Sequence, residues 1–170
     1  MIYISKGNIA IRNMEKDDIE IMSHEGHSFN VYMDYFNEQE LGSRYVFISE
    51  YNGDYAGYTT LKNQATSGPF ANTGIPEISD FNVLNRYRCK GIGSMILDEA
   101  EKKAGELNVM VCLGVGLHSG YGSAQRMYVK RGYLPDGSGV WYKDKICAPY
   151  TGCINDDDLI LYLSKQLAEV

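Results

Sequence analysis

Apolar and polar side chains alternate from Asn8 to Arg12, the period of a half-buried strand. After Lys16-Asp17-Asp18 the period lengthens into a helical one that carries Ile19, Ile21 and Met22. Phe29 to Leu41 is a second amphipathic helical segment. Tyr45 to Tyr51 and Tyr55 to Leu61 are rich in β-formers and flank Asn52-Gly53-Asp54, which predicts a hairpin. Lys62 to Gly74, polar and glycine-bearing, is expected to be a loop, and Ile75 to Leu84 the next strand. From about Gly91 to Gly105 the helical spacing returns. Ile92, Met95, Ile96 and Ala100 fall on one inner stripe, with Glu99, Glu101, Lys102 and Lys103 mostly outside. Asn108 to Leu117 is a nearly continuous apolar run, as a central strand covered on both faces requires. Ser123 to Arg131 is predicted as a helix capped by Gly132, Pro135-Asp136-Gly137 as a turn, and Val140 to Tyr142 and Asp158 to Leu163 as closing strands. Strands and helices interleave without a repeat or a low-complexity linker, so the expectation is one α/β domain with a mixed sheet over residues 1–170.

Composition then narrows the function classes. Hydrophobic residues make up 44% and charged residues 22%, the balance of a globular chain that buries its own core. A net charge of -6 disfavours nucleic acid and anionic membrane as partners. No apolar run approaches the roughly 20 residues of a membrane span, and no leader precedes the first strand, so the expected setting is the cytoplasm. Cys89, Cys112, Cys147 and Cys153 form no CxxC pair and are read as reduced thiols. His24, His27 and His118 make no ligand set, so no metal is expected, and Asp156-Asp157-Asp158 is expected to be a solvated turn.

The chemistry concentrates in Arg88-Cys89-Lys90-Gly91-Ile92-Gly93-Ser94, between a predicted strand end and a predicted helix start. Unpaired amides at a helix start point outward, the helix dipole favours negative charge, and glycines remove side chains that would hold a diphosphate off. The segment lacks the GK[ST] of a Walker A loop and the third glycine of a dinucleotide fingerprint. With Arg88, Gly91 and Gly93 it resembles the signature of the GNAT superfamily of acyl-CoA N-acyltransferases, Arg or Gln followed by x-x-Gly-x-Gly or Ala. Val83 stands upstream at that family's usual spacing. Downstream, Ala124 to Tyr133 is similar to its A-x-x-x-Y-x-x-x-G-[FY] segment.

The resemblance implies a GNAT-like mixed sheet of about six to seven strands flanked by about four helices and splayed at a cofactor cleft. It also implies transfer of an acetyl group from acetyl-CoA to a primary amine, of a small molecule before a protein. The diphosphate would lie on the backbone from Arg88 through Cys89, Lys90, Gly91, Ile92 and Gly93 to Ser94, and the pantetheine arm along Phe81, Asn82 and Val83. Tyr128 takes the place of a general acid beside the sulfur. Glu77, six residues before Val83, takes that of the base, with Asp80 in reserve; alternation puts Glu77, Ser79, Phe81 and Val83 on one strand face. The alternative for Glu77 is an exposed carboxylate at a strand start. Relatives often carry Asn where this chain has Tyr121, and Ser123 is expected either to touch the cofactor or to cap its helix. A homodimer is plausible by the same resemblance. Two other classes stay open: a coenzyme A-binding sensor without turnover, and an interaction module. The acceptor and the acyl-chain preference are not legible in the sequence.

Overall fold

The computed structural model describes residues 1–167. They form nine strands and four α-helices, a mixed α/β fold of the class expected, with more strands than the sequence pattern suggested. The chain divides into two compact units, Met1–Asn63 with Ile78–Ala104, and Gln64–Glu77 with Gly105–Val170.

In the first unit β1 (Ile2–Lys6), β2 (Ile9–Asn13), β3 (Arg44–Tyr51), β4 (Asp54–Lys62) and most of β5 (Glu77–Val83) are neighbours in chain order. β1 escaped the sequence reading because Lys6-Gly7-Asn8 interrupts its alternation and most of its residues stay exposed. Asn52 and Gly53 adopt positive φ between β3 and β4, as the predicted hairpin requires. Helices α1 (Asp18–Glu25) and α2 (Phe29–Glu40) cover one face of these strands. There Ile19, Met22 and Tyr32 pack with Val46, Ile48, Tyr55, Tyr58 and Leu84. The entry to α1 is fastened electrostatically. Arg12 donates two bonds of 2.7 Å to the Asp18 carboxylate and a third of 2.7 Å to Glu50, a bidentate arrangement with geometric as well as coulombic value.

Helix α3 (Ile92–Gly105) buries Ile92, Ile96, Leu97, Ala100 and Ala104, close to the predicted stripe. Glu99 and Glu101, expected outside, are buried too, since the inner face is wider than the single row counted in the sequence.

The second unit is built on β6 (Met110–Gly116), whose antiparallel partner β9 (Leu159–Gln166) also pairs with β7 (Leu134–Tyr142), which in turn carries β8 (Lys145–Ile146). β6 pairs on both edges: Cys112 is the parallel register partner of Glu77, and that ladder consists of this one pair. Val111, Cys112, Leu113 and Val115 are buried, as expected of a central strand. The Pro135-Asp136-Gly137 segment is not a turn between elements; it lies inside β7, whose register to β9 jumps between Pro135 and Val140. Helix α4 (Gly122–Lys130) ends at Gly132, whose φ of +87° makes the expected left-handed cap. All four cysteines are free thiols.

Candidate active site

The expected anion-binding turn occupies one corner of the first unit. After Val83 the backbone is held by the Leu84 N–H, which donates to the Ala56 carbonyl at 2.9 Å. A single 3-10 turn, Asn85–Tyr87, follows. Arg88 is extended, Cys89 has φ +61° and Gly91 φ +85°, and α3 starts at Ile92. Left-handed residues interleaved with ordinary ones turn successive amides toward a common concavity, and the first-turn amides of a helix have no partners within it. A β-carbon on Gly91 would meet nothing within 4 Å, so the space before the turn is open. The Arg88 side chain closes the corner from behind, its Nε donating to the Val83 carbonyl at 3.0 Å. Lys90 stacks over the Tyr51 ring at 4.9 Å.

Beside the turn lies a cavity of about 370 Å³ lined by Glu25, Asn82, Val83, Leu84, Asn85, Arg86 and Arg88. Three of the expected cofactor residues, Asn82, Val83 and Arg88, therefore share one cavity. Phe81 packs against the small apolar cluster of Ala56, Val83 and Ile92. Ile92 is 1% exposed, which leaves it only its backbone to offer a ligand. Cys89, Lys90, Gly91 and Ser94 are exposed and Gly93 half-buried. Open space, converging amides and nearby cations suit a diphosphate.

The strand feeding this corner does not alternate as predicted. Asp80 has φ +53°, a left-handed conformation that Asp tolerates better than most residues. As a result Ser79 and Asp80 enter the same polar network. Ser79 Oγ lies 2.9 Å from Thr60 Oγ1, which accepts from Arg44 at 2.8 Å; Arg44 lies 4.2 Å over the Tyr35 ring; and the Tyr35 hydroxyl donates to Asp80 at 2.6 Å. The face predicted to hold Glu77, Ser79, Phe81 and Val83 together is thus broken in its middle. Burial, with the Asp80 carboxylate second, pushes the Tyr35 phenol well above its ordinary value. Glu77 itself is 6% exposed, against the alternative of a solvated carboxylate at a strand start.

In the second unit Tyr128 is 5% exposed on α4, its ring T-shaped to Tyr133 at 5.6 Å. Burial alone pushes its phenol above the ordinary range, which holds the proton on oxygen at neutral pH. Ser123 is the exposed second residue of α4 and does not cap it; the cap position belongs to Tyr121. Tyr121 and the acidic run have a structural task that the sequence did not disclose. His118 Nδ1 accepts from the Gly120 N–H at 3.0 Å, so its Nε2 carries the proton and donates to Asp157 at 2.9 Å. The Tyr121 hydroxyl donates to the same oxygen at 2.9 Å, and Tyr142 reaches Asp156 at 3.3 Å. The turn is solvated as expected, with Asp157 79% exposed, and it is tethered as well; the bonds from His118 and Tyr121 hold the Asp157 carboxyl below its usual range.

Among the described residues no group of acidic, histidine and cysteine side chains is arranged to hold a metal, and no helix is long and apolar enough to cross a membrane.

Comparison with known proteins fits this geometry. No curated protein matches the chain by sequence. Solved structures do match by fold. The Salmonella typhimurium protein yncA, described as an acetyltransferase and solved with its cofactor acetyl-CoA, superposes with a TM-score of 0.68 at 18% identity, covering 96% of each chain. Ard1 from Thermoplasma volcanium gives 0.70 at 19% identity, over 96% of this chain and 100% of that one. The ribosomal-protein-alanine N-acetyltransferase of Brucella melitensis gives 0.67 at 16%, over 92% and 99%. At these identities the likeness is one of fold. The sequence profile of the acetyltransferase (GNAT) family matches residues 10–133 and so runs from β2 through the glycine corner and β6 to the end of α4. The chain belongs to the GNAT acetyltransferase family.

Proposed function

We propose that the protein is an N-acetyltransferase that transfers the acetyl group of acetyl-CoA to a primary amine of a small molecule. The observation that carries this reading is the corner from Arg88 to Ser94, where positive φ at Cys89 and Gly91 and a helix start leave amides facing open space. In this reading those amides hold the diphosphate, and Phe81, Asn82 and Val83 border the pantetheine arm. When bound, acetyl-CoA supplies the activated acetyl group as a thioester.

An alkylamine, with a pKa of about 10.4, is almost wholly protonated at neutral pH and must lose a proton before it reacts. Glu77, buried and aligned by the resemblance with a catalytic carboxylate, accepts that proton directly or through water. Tyr128 keeps its phenolic proton because it is buried, and supplies it as the acid. We further propose that the two units act as one catalytic domain without a metal, in the cytoplasm, with a homodimer as the assembly the family resemblance implies.

The test is a thermal-shift titration with acetyl-CoA followed by thiol release over a panel of alkylamines and N-terminal peptides. Stabilisation by acetyl-CoA with turnover on an alkylamine supports the reading. Binding without turnover on any amine selects a sensor instead, and peptide-only turnover moves the acceptor to a protein.

A further inference from the structure

In the second unit a turn that no step of acyl transfer uses brings two of the four thiols together. After β8 the chain is fastened back to β7 by the Cys147 N–H, which donates to the Val140 carbonyl at 2.8 Å. Ala148-Pro149-Tyr150-Thr151 then folds back on itself. The Ala148 carbonyl accepts from the Thr151 N–H at 3.3 Å and from the Thr151 hydroxyl at 2.6 Å, and Tyr150 has φ +64°. Proline at the second position and a positive φ at the third are the marks of a type II turn. The reversal leaves Cys147 and Cys153, one on each side of it, in side-chain hydrogen-bond contact. Their surroundings differ. Cys153 is exposed and Cys147 half-buried, and burial, with Cys153 second, pushes the Cys147 thiol above its ordinary value.

The main obstacle to a disulfide is backbone that cannot bring the two sulfurs into reach. Here the sulfurs already touch, across a turn that hydrogen bonds have closed. We propose that Cys147 and Cys153 are a reversible redox-modification site, which a low-molecular-weight disulfide oxidises to an intramolecular disulfide closing the ring from Cys147 to Cys153. The proposal stands apart from the acyl-transfer reading. The exposed Cys153 is the point of attack, since a thiolate must reach the incoming disulfide and Cys147 is held protonated and half-buried. Cys153 attacks one sulfur of the small disulfide; that S–S bond breaks, one small thiolate leaves and takes up a proton, and a mixed disulfide remains on Cys153. Cys147 then loses its proton and attacks Cys153 Sγ, and the second small thiolate leaves with a proton. Two protein thiols have lost two hydrogens, and one small disulfide has become two thiols. Excess small thiol runs both exchanges backward, so the site reads the thiol–disulfide balance around it.

The experiment treats the reduced protein with glutathione disulfide, blocks the remaining thiols, digests with trypsin and weighs the peptides. Cys147 and Cys153 share the tryptic peptide Ile146–Lys165, whereas Cys89 and Cys112 fall on others. In wild type that peptide is expected two hydrogens lighter, with little glutathione attached, and excess reduced glutathione should restore it. In Cys147→Ser, Cys153 should keep its glutathione, because nothing resolves the mixed disulfide. In Cys153→Ser, glutathione should reach Cys147 about tenfold more slowly than it reaches Cys153 in Cys147→Ser. In concentrated urea the wild-type ratio of closed ring to glutathione adduct should fall by about tenfold or more, since the turn that holds the thiols together is lost. A native wild-type peptide that carries glutathione on either cysteine without closing the ring overturns the site. So does a native peptide that stays reduced, or a ring that closes equally well in urea. Equal rates in the two single variants overturn the order of attack.

Discussion

Gly57 offers the sharpest test of how the cofactor strand is held. It lies in β4 with φ +154°, and a β-carbon there would stand 2.2 Å from the Asn82 carbonyl oxygen and 2.8 Å from the Val83 α-carbon. Both are backbone atoms, so no side chain can swing aside. Ordinary contact begins near 3.4 Å, so Gly57→Ala must push the two strands apart by roughly 1 Å. Overpacking of that kind costs about 1–3 kcal/mol. The displacement also loosens the 2.9 Å bond from the Leu84 N–H to Ala56 and the 2.9 Å bond from Ser49 Oγ to the Gly57 carbonyl, at about 1 kcal/mol for each one lost. The expected cost is about 3 kcal/mol, or a fall in Tm of roughly 6–12 °C for a chain of this size. Gly42→Ala is the control: φ is +73° there but nothing lies within 4 Å, so only the conformational cost of about 1 kcal/mol remains. Thermal melts and urea titrations of the two variants isolate the steric part, and the KM for acetyl-CoA should rise in Gly57→Ala because Asn82 and Val83 have moved. If Gly57→Ala melts at or above Gly42→Ala, the close approach of β4 and β5 is not what the geometry says.

Other consequences can be checked alongside. Gly91→Glu should raise the calorimetric Kd for acetyl-CoA by about tenfold or more, since it sets an anion before the amide corner; an unchanged Kd removes the diphosphate from that corner. Tyr128→Phe should lower kcat by about a hundredfold with the acetyl-CoA KM preserved, and equal kcat takes the acid role from Tyr128. Asp18→Ala leaves Arg12 without its bidentate partner in a site where the two side chains are 16% and 9% exposed, so a loss of about 2–4 kcal/mol in urea unfolding is expected, and a loss below 0.5 or so refutes the pairing's weight. Asp157 has its folded pKa lowered by His118 and Tyr121, so its contribution is present above the unfolded carboxylate value of about 4 and is lost as pH falls through the lower folded value. The Tm gap between wild type and Asp157→Asn should therefore be steady from about pH 5 upward and close below about pH 4; a gap that persists at pH 2 contradicts the assignment.

The sequence by itself determined what depends on neighbours along the chain. Period two, period 3.6 and the glycines at turns located ten of the strands and helices within a few residues, because those signals are local. The strand-to-helix corner proposed to hold the diphosphate was legible for the same reason: Arg88, Gly91 and Ile92 mark the junction in seven residues. What needed a distant partner was not legible. β1 exists because β2 pairs with it, and the bulge in β7 because β9 imposes a register. The burial of Glu99 and Glu101 follows from what packs on α3, which no helical wheel contains. Asp80 is the clearest case: alternation assigned it a face, but its φ is positive, the Thr59 hydroxyl donates to the Ser79 carbonyl twenty positions away, and the Tyr35 hydroxyl donates to the Asp80 carboxylate forty-five positions away. A side chain's direction on a strand follows from the sequence only while the strand stays regular, and regularity is decided by whatever the tertiary structure presses against it.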